Sequence, residues 1–265
     1  MERGDETMAP ILIIDPGHGG VDPGGGSNAQ FTEKEMNLRI SLYQFRRFQE
    51  LNIPVALTRS SDVTLSSDAR AAIVRNSGAR YCISNHINSG GGRGAEVIYS
   101  IYAKPDFAQT ILDQLKTTGM PVRRIYTRTL PNNPNLDYYF MHRETGSVET
   151  VIVEYGFADN PLDASLLISK WDQLAEAVVK AFCLHANFSY RPPAAPTPAP
   201  GDKPGQSENG GGSDVPDWKR EAVEWLFAQG FLTDETWRDK VDQPLPLWAE
   251  ALVLRRMYEK ITSAR

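Results

Sequence analysis

Short apolar runs alternate with longer amphipathic ones over the first 190 residues. Ile11 to Ile14, Val55 to Leu57 and Tyr81 to Ser84 are too short for helices and predict strands, the first of a kind covered on both faces. Between them, Glu33 to Glu50 and Ser66 to Asn76 predict helices. In the longer one Met36, Ile40 and Tyr43 run beside Leu38, Leu42 and Phe45, both sets at i, i+4, i+7. This βαβαβ order predicts an α/β fold, a mostly parallel twisted sheet with helices on both faces. Further strands are expected at Ala95 to Ser100, Val122 to Tyr126 and Val151 to Tyr155. Asn160 and Pro161 supply an N-cap and a first-turn proline, after which Leu166, Leu167 and Leu174 to Leu184 mark closing helices. No internal repeat is seen.

The pattern breaks at Arg191. From there to Ser213 the chain is rich first in Pro, Ala and Thr and then in Gly, Ser and Asn, too polar to pack. Residues 191–213 are therefore expected to be a linker, polyproline-like at first and flexible at Gly210 to Gly212. It separates a domain at 9–190 from a small all-α domain at 214–265. There Trp218, Ala222 and Trp225 predict a helix ended by Gly230, and Leu247, Ala251, Leu254, Tyr258 and Ile261 predict a second. A core of that size is marginal alone, and pairing or docking would help it.

Composition narrows the class. With 265 residues and 41% hydrophobic content the chain can bury a full core, and it has no apolar run near the ~20 residues of a membrane span. Met1 to Pro10 is polar and acidic, unlike a secretory signal, and the residues before Met8 read as a disordered extension or an alternative start. Cys82 and Cys183 lie in apolar elements and are expected as buried free thiols. A net charge of -5 argues against a nucleic-acid surface and gives no help on an anionic wall or membrane. Recognition must come from a specific site.

The first strand runs into Asp15-Pro16-Gly17-His18-Gly19-Gly20, where Pro16 is expected to stop the ladder and the glycines let His18 project from a tight loop at the strand's carboxyl end. Ligands bind there in open α/β sheets. His86 follows a second strand on the same side, in Ser84-Asn85-His86-Ile87-Asn88, and is expected in a turn. Zinc catalysis needs three nitrogen or oxygen ligands and an open position, and a carboxylate would complete the set. Glu33 and Glu35 both open the first helix, but Thr32-Glu33-Lys34-Glu35 reads as a capping box that occupies Glu35 with the Thr32 backbone, leaving Glu33 for metal. The plainer alternatives are a loop histidine, a satisfied surface turn at Asn85 to Asn88, and a first-turn acid answering the helix dipole. His142 and His185 lack such a setting and read as structural.

Glu154 ends an otherwise apolar run, Val151-Ile152-Val153, and is costly to bury without a partner or a purpose. It reads either as a core acid paired with Arg59 or Arg70, or as a general base with a raised pKa beside the metal.

Together these segments resemble the type-3 family of zinc-dependent N-acetylmuramoyl-L-alanine amidases, found in bacterial autolysins and phage endolysins. The resemblance covers about residues 10–187 and runs through D-P-G-H-G-G with Asp22-Pro23-Gly24, E-K-E-M-N-L, L-T-R-S-S-D at Leu57 to Asp62, S-N-H-I-N, and V-E-Y-G-F-A-D-N at Val153 to Asn160. It implies His18, Glu33 and His86 as Zn2+ ligands, Glu154 as the catalytic acid, and hydrolysis of the amide between N-acetylmuramic acid and the L-alanine of the stem peptide. Asn85, Ile87 and His142 depart from the commoner choices, which touches substrate fit rather than the metal. Leu130 to Arg143, with its turn and tyrosines, reads as a groove wall or as a loop packed by a Tyr pair.

The C-terminal segment resembles a single surface-layer-homology-type repeat through D-V-P-D-W, E-A-V-E-W-L, Q-G-F and A-E-A-L-V-L-R-R. That implies attachment to a secondary wall polymer through 214–265, with a homodimer through the same segment as the other reading. Three other readings stand beside the amidase. A phosphate loop at Gly20 to Ser27 lacks its lysine, Gly26 standing in that place. A non-catalytic wall-binding protein would not need all four chemical residues. A zinc peptidase acting within the stem peptide shares the metal chemistry. The expected setting is a phage or prophage lysin made in the cytoplasm without a signal peptide and acting on the cell wall after release at lysis; a mother-cell autolysin would look alike. Neither nucleic acid nor membrane is an expected partner.

Overall fold

The computed structural model describes residues 9–193, 217–240 and 247–263. They fall into two units, within 1–195 and 196–265; the linker read from composition lies, from residue 194 on, outside the described residues, as do residues 1–8. In the first unit the order is β1 (Leu12–Pro16), α1 (Glu33–Glu50), β2 (Val55–Leu57), α2 (Ser67–Asn76), β3 (Tyr81–Asn88), β4 (Ala95–Tyr99) and α3 (Asp106–Thr117). There follow β5 (Val122–Tyr126), β6 (Thr129–Leu130), β7 (Asn133–Asp137), α4 (Phe140–Arg143), β8 (Glu149–Phe157), α5 (Pro161–Ser169) and α6 (Trp171–His185).

The sheet order is β2-β1-β3-β8-β4-β5. The first four strands are parallel, β4 runs antiparallel to β8, and β5 is parallel to β4. The fold is thus the expected mostly parallel sheet covered on both sides. The larger core joins α1, α3 and α6 to one face through Ile40, Phe48, Phe107, Ile111 and Phe182. The smaller one, around Ile13, Val74, Cys82 and Met141, fills the other face beneath α2 and α4. Both cysteines are buried free thiols, as expected.

Several boundaries move for physical reasons. β3 continues four residues past the apolar run, so His86 lies inside a strand and not in a turn. Polar Ser84 and Asn85 are tolerated there because each is fully paired: Ser84 donates to Asp15 Oδ2 at 2.7 Å, and Asn85 donates to Ser41 Oγ and Gln44 Oε1 and accepts from the Tyr155 hydroxyl. The buried stripe of α1 is thus partly polar: Ser41 and Gln44 belong to this network, Asn37 reaches Gly17 and Glu33, and Arg47 pairs with Glu176, while Leu38, Leu42 and Phe45 are only half-buried. Pro16 does not stop the ladder, since it pairs with Asn85. Glu154 sits within β8, which runs on to Phe157. α3 has no counterpart in the sequence reading, although Phe107, Ile111 and Leu115 carry helical spacing and are buried. Residues 129–137 form a small hairpin, and Tyr138 packs edge-on against Tyr139 at 5.1 Å.

His142 on α4 is 8% exposed, and burial pushes its imidazole down to about 4. Below about pH 6.5 the unfolded chain binds a proton that the folded one refuses, so this residue's contribution is present above that pH and lost as pH falls toward 4. We expect His142→Leu to retain up to about 3 kcal/mol that the wild type loses across this interval. Denaturant midpoints at a series of pH values measure it, and parallel profiles would refute it.

The second unit contains α7 (Asp217–Ala228), a 3-10 turn at Glu235–Asp239 and α8 (Leu247–Ser263). Gly230 ends α7 at φ +72°, as the pattern suggests. Phe231, Leu232 and Ala249 are buried, whereas Trp225 and Leu254 are 53% and 66% exposed.

Candidate metal centre

β1 lies between β2 and β3, and the carboxyl ends of such neighbouring parallel strands are where ligands bind in open α/β sheets. Three side chains meet there. His18 follows β1, Glu33 is the first residue of α1 and His86 stands near the end of β3. One ligand atom from each lies within 4.8 Å of the others, the single such cluster of potential metal ligands among the described residues. His18 Nε2 is 3.2 Å and His86 Nδ1 3.0 Å from Glu33 Oε1, and the two rings stand edge to face.

Local backbone geometry makes this convergence. His18 has φ +60°, a left-handed conformation rare outside glycine, and Asp22 Oδ2 holds its Nδ1 at 2.7 Å so that Nε2 faces Glu33. Gly17 packs directly beneath the His86 ring, where a Cβ would overlap the imidazole. Gly24, at φ +83°, lies equally close to the Glu33 carboxylate. The other Glu33 oxygen accepts from Gly26 N at 2.7 Å, which fixes the carboxylate plane.

Sequence motifs that looked remote clamp the same loop. Asp15 is fully buried and accepts from Arg70 Nη1 (2.6 Å), Thr58 (2.6 Å) and Ser84. Arg70 also donates to the Pro16 and His18 carbonyls, and Arg59 to those of Pro16 and Gly17. Asp62 accepts from Gly20 N and from Lys34, itself bonded to the Gly20 carbonyl. Arg59 and Arg70 therefore serve the His18 loop and do not pair with Glu154, which removes the core ion pair considered for that acid. The capping box is also altered: the Thr32 hydroxyl donates to the Glu35 side chain at 2.6 Å and makes no cap bond to the helix backbone, where Glu33 N instead donates to Ser27 Oγ at 2.9 Å. Glu35 nonetheless stays out of the cluster, as expected.

The electrostatics suit a cation. Burial opposes charge on both groups, but Glu33 and Asp22 outweigh it and raise His18 to about 9, while the two histidines hold the Glu33 carboxyl well below the usual range. A carboxylate and two imidazoles bracket one point. Two nitrogens and one oxygen are the number and chemistry of donors that leave a divalent transition metal an open position. We expect Gly17→Ala to weaken divalent-metal binding about 10- to 100-fold while the chain stays folded, because its φ is not left-handed and only the space is at issue. Calorimetric titration measures this; unchanged affinity would show that the His86 ring can move aside at no cost.

Glu154 is the register partner of His86 on β8. Its Oε2 is buried and has no hydrogen-bond partner among the described residues. Burial raises its pKa to about 7, His86 working against this and Glu33 and Glu96 with it. His142 and His185 lie elsewhere, the latter stacked on Phe107 at 4.5 Å. A cleft of about 570 Å³ at the opposite end of β3 and β8, against Arg80, Glu149 and His185, gathers no comparable donor set. The sequence reading did not find the roles of Asp15, Asp22 and Glu96. An acid four residues after a glycine-flanked histidine was the available signal for Asp22.

Comparison with known proteins bears on the family and the fold. The family model that matches residues 12–183 is described as N-acetylmuramoyl-L-alanine amidase. The chain is 33% identical over 161 residues to the N-acetylmuramoyl-L-alanine amidase CwlM of Bacillus licheniformis, covering 60% of each protein. It is 30% identical over 158 residues to a sporulation-specific N-acetylmuramoyl-L-alanine amidase of Bacillus subtilis (strain 168), covering 59% of each. It thus spans about 60% of the length of these curated relatives. Among solved structures, an N-acetylmuramoyl-L-alanine amidase from Clostridium difficile 630 superposes with a TM-score of 0.59 at 27% identity, over 68% of this chain and 97% of that one.

Proposed function

The chain belongs to the N-acetylmuramoyl-L-alanine amidase family, and from that premise we propose that it is a zinc-dependent peptidoglycan hydrolase. Its reaction is cleavage of the amide between N-acetylmuramic acid and the L-alanine of the stem peptide. The observation that carries this reading is the convergence of His18, Glu33 and His86, with Glu154 on the neighbouring strand, whose Oε2 is buried without a hydrogen-bond partner among the described residues.

His18, Glu33 and His86 would hold the ion, and zinc supplies a Lewis acid that acidifies water and polarises the amide carbonyl. Glu154, with a pKa near neutrality, takes a proton from the attacking water and returns it to the leaving amine of alanine. Asp22 keeps the His18 ring turned toward the cluster, and the Asp15, Arg59 and Arg70 clamp holds the loop that carries it. Asn85, locked between α1 and Tyr155, fixes the strand beneath His86.

We expect about one zinc per chain by elemental analysis. Digestion of purified peptidoglycan should release new L-alanine amino groups without new reducing sugar ends, as read by mass spectrometry of the products. New reducing ends would indicate a glycosidase, cleavage between stem residues a peptidase, and no product a wall-binding protein. The setting we propose is a phage or prophage lysin that acts on the wall after release at lysis, with residues 214–265 attaching to a wall polymer or pairing with a second copy. Expression confined to lytic growth, wall sedimentation with the isolated chain and analytical ultracentrifugation test these three points in turn.

A further inference from the structure

One row of register partners crosses four strands: His86 on β3, Glu154 on β8, Glu96 on β4 and Arg124 on β5. Between Ala95 and Glu96 the β4-β5 register slips by one residue, so that Arg123 is the extra residue of a bulge. The bulge brings two guanidinium groups to one carboxylate. Glu96 is 1% exposed, and its Oε1 accepts from Arg123 Nη1 at 2.6 Å and Arg124 Nε at 2.8 Å, while Oε2 accepts from Asn88. Arg123 lies over the Phe157 ring and Arg124 over that of Tyr126, at 5.6 and 4.2 Å.

Each guanidinium is about half exposed. A single carboxylate cannot neutralise both, so a net positive charge remains on this edge of a chain whose overall charge is -5. Both Nη atoms of Arg124 make no hydrogen bond within the described residues, which leaves its planar fork free for an incoming anion. Adjacent strands are about 4.8 Å apart, which sets the pair about 10 Å from Glu154. An extended peptide covers that distance in about three residues. Free carboxylates in peptidoglycan belong to the peptide arm, and the lactyl carboxyl is consumed in the scissile amide.

We propose that Arg123 and Arg124, oriented by Glu96, form a subsite for a free carboxylate of the stem peptide, two or three residues beyond the scissile bond. This deepens the amidase reading and rests on it. The probe is a synthetic stem tripeptide, L-Ala-γ-D-Glu-L-Lys, with its carboxylates free or converted to amides, titrated calorimetrically into the full chain. The free form is expected to bind about 10- to 100-fold more tightly than the amide form. Arg123→Gln and Arg124→Gln, each leaving Glu96 one guanidinium, are expected to shrink that preference severalfold. A preference unchanged in both variants, or none in the wild type, overturns the subsite. Should a single variant not fold, both substitutions combined with Glu96→Gln leave no buried charge and are read in the same way. Hydrolysis of the corresponding muramoyl-tripeptides separates the two levels: wild type that cleaves neither form refutes the amidase reading, whereas cleavage of both with equal kcat/KM refutes the carboxylate subsite alone.

Discussion

Glu154→Gln is expected to lower peptidoglycan hydrolysis by about 10²- to 10⁴-fold while leaving the fold and the zinc content unchanged. The amide has nearly the shape of the carboxyl, and Oε2 has no partner to lose. What disappears is the capacity to gain and release a proton. That capacity is tuned by position: burial pushes the group to about 7, so acid and base forms coexist near neutrality. No arginine offsets it, because Arg59 and Arg70 are committed to loop carbonyls and to Asp15. Initial rates on purified wall, set beside metal content measured on the same preparation, test the claim. Undiminished turnover would remove Glu154 from the mechanism, and lost metal would make it a structural support of the site.

Asp15→Asn is expected to cost about 3–5 kcal/mol of stability, since it strands the buried Arg70 cation beside a neutral amide. For a protein of this size that corresponds to a fall in Tm on the order of 10 °C, read by calorimetry. Burial alone would raise the Asp15 carboxyl, but Arg70, Thr58 and Ser84 together bring it below its ordinary value. The stabilisation is therefore present above the unfolded pKa near 3.9 and is lost as pH falls through the lowered folded value. Because Arg70 also holds the His18 carbonyl, the variant should bind zinc more weakly as well. A Tm within a degree or two of wild type would mean that the loop carbonyls suffice for Arg70.

Most of the fold was legible because its signals are local. The β1 run, the 18-residue periodicity of α1 and the Asn160-Pro161 cap each depend on neighbours in sequence, and the structure places them within a residue or two. Strand ends were misjudged where polar residues continue a strand. Ser84, Asn85 and Glu154 look like terminators until their partners on α1, β1 and β4 are known. The insertion of β8 between β3, to which it is parallel, and β4, to which it is antiparallel, likewise has no local signature.

The candidate site divides along the same line. The sequence by itself determined which groups are available: a histidine held among glycines at a strand end, a second at the end of a parallel neighbour, a carboxylate opening a helix and an acid in an apolar run. It did so because residue type and short spacing decide donor chemistry and backbone freedom. Only the tertiary structure decided that three of these meet within 4.8 Å, that Glu154 stands in register with His86, and that Arg59 and Arg70 serve the loop and not the acid. Those outcomes depend on strand register and on pairing between residues 15 to 68 positions apart, where electrostatic and packing energies act through space and carry no trace in the local order of side chains.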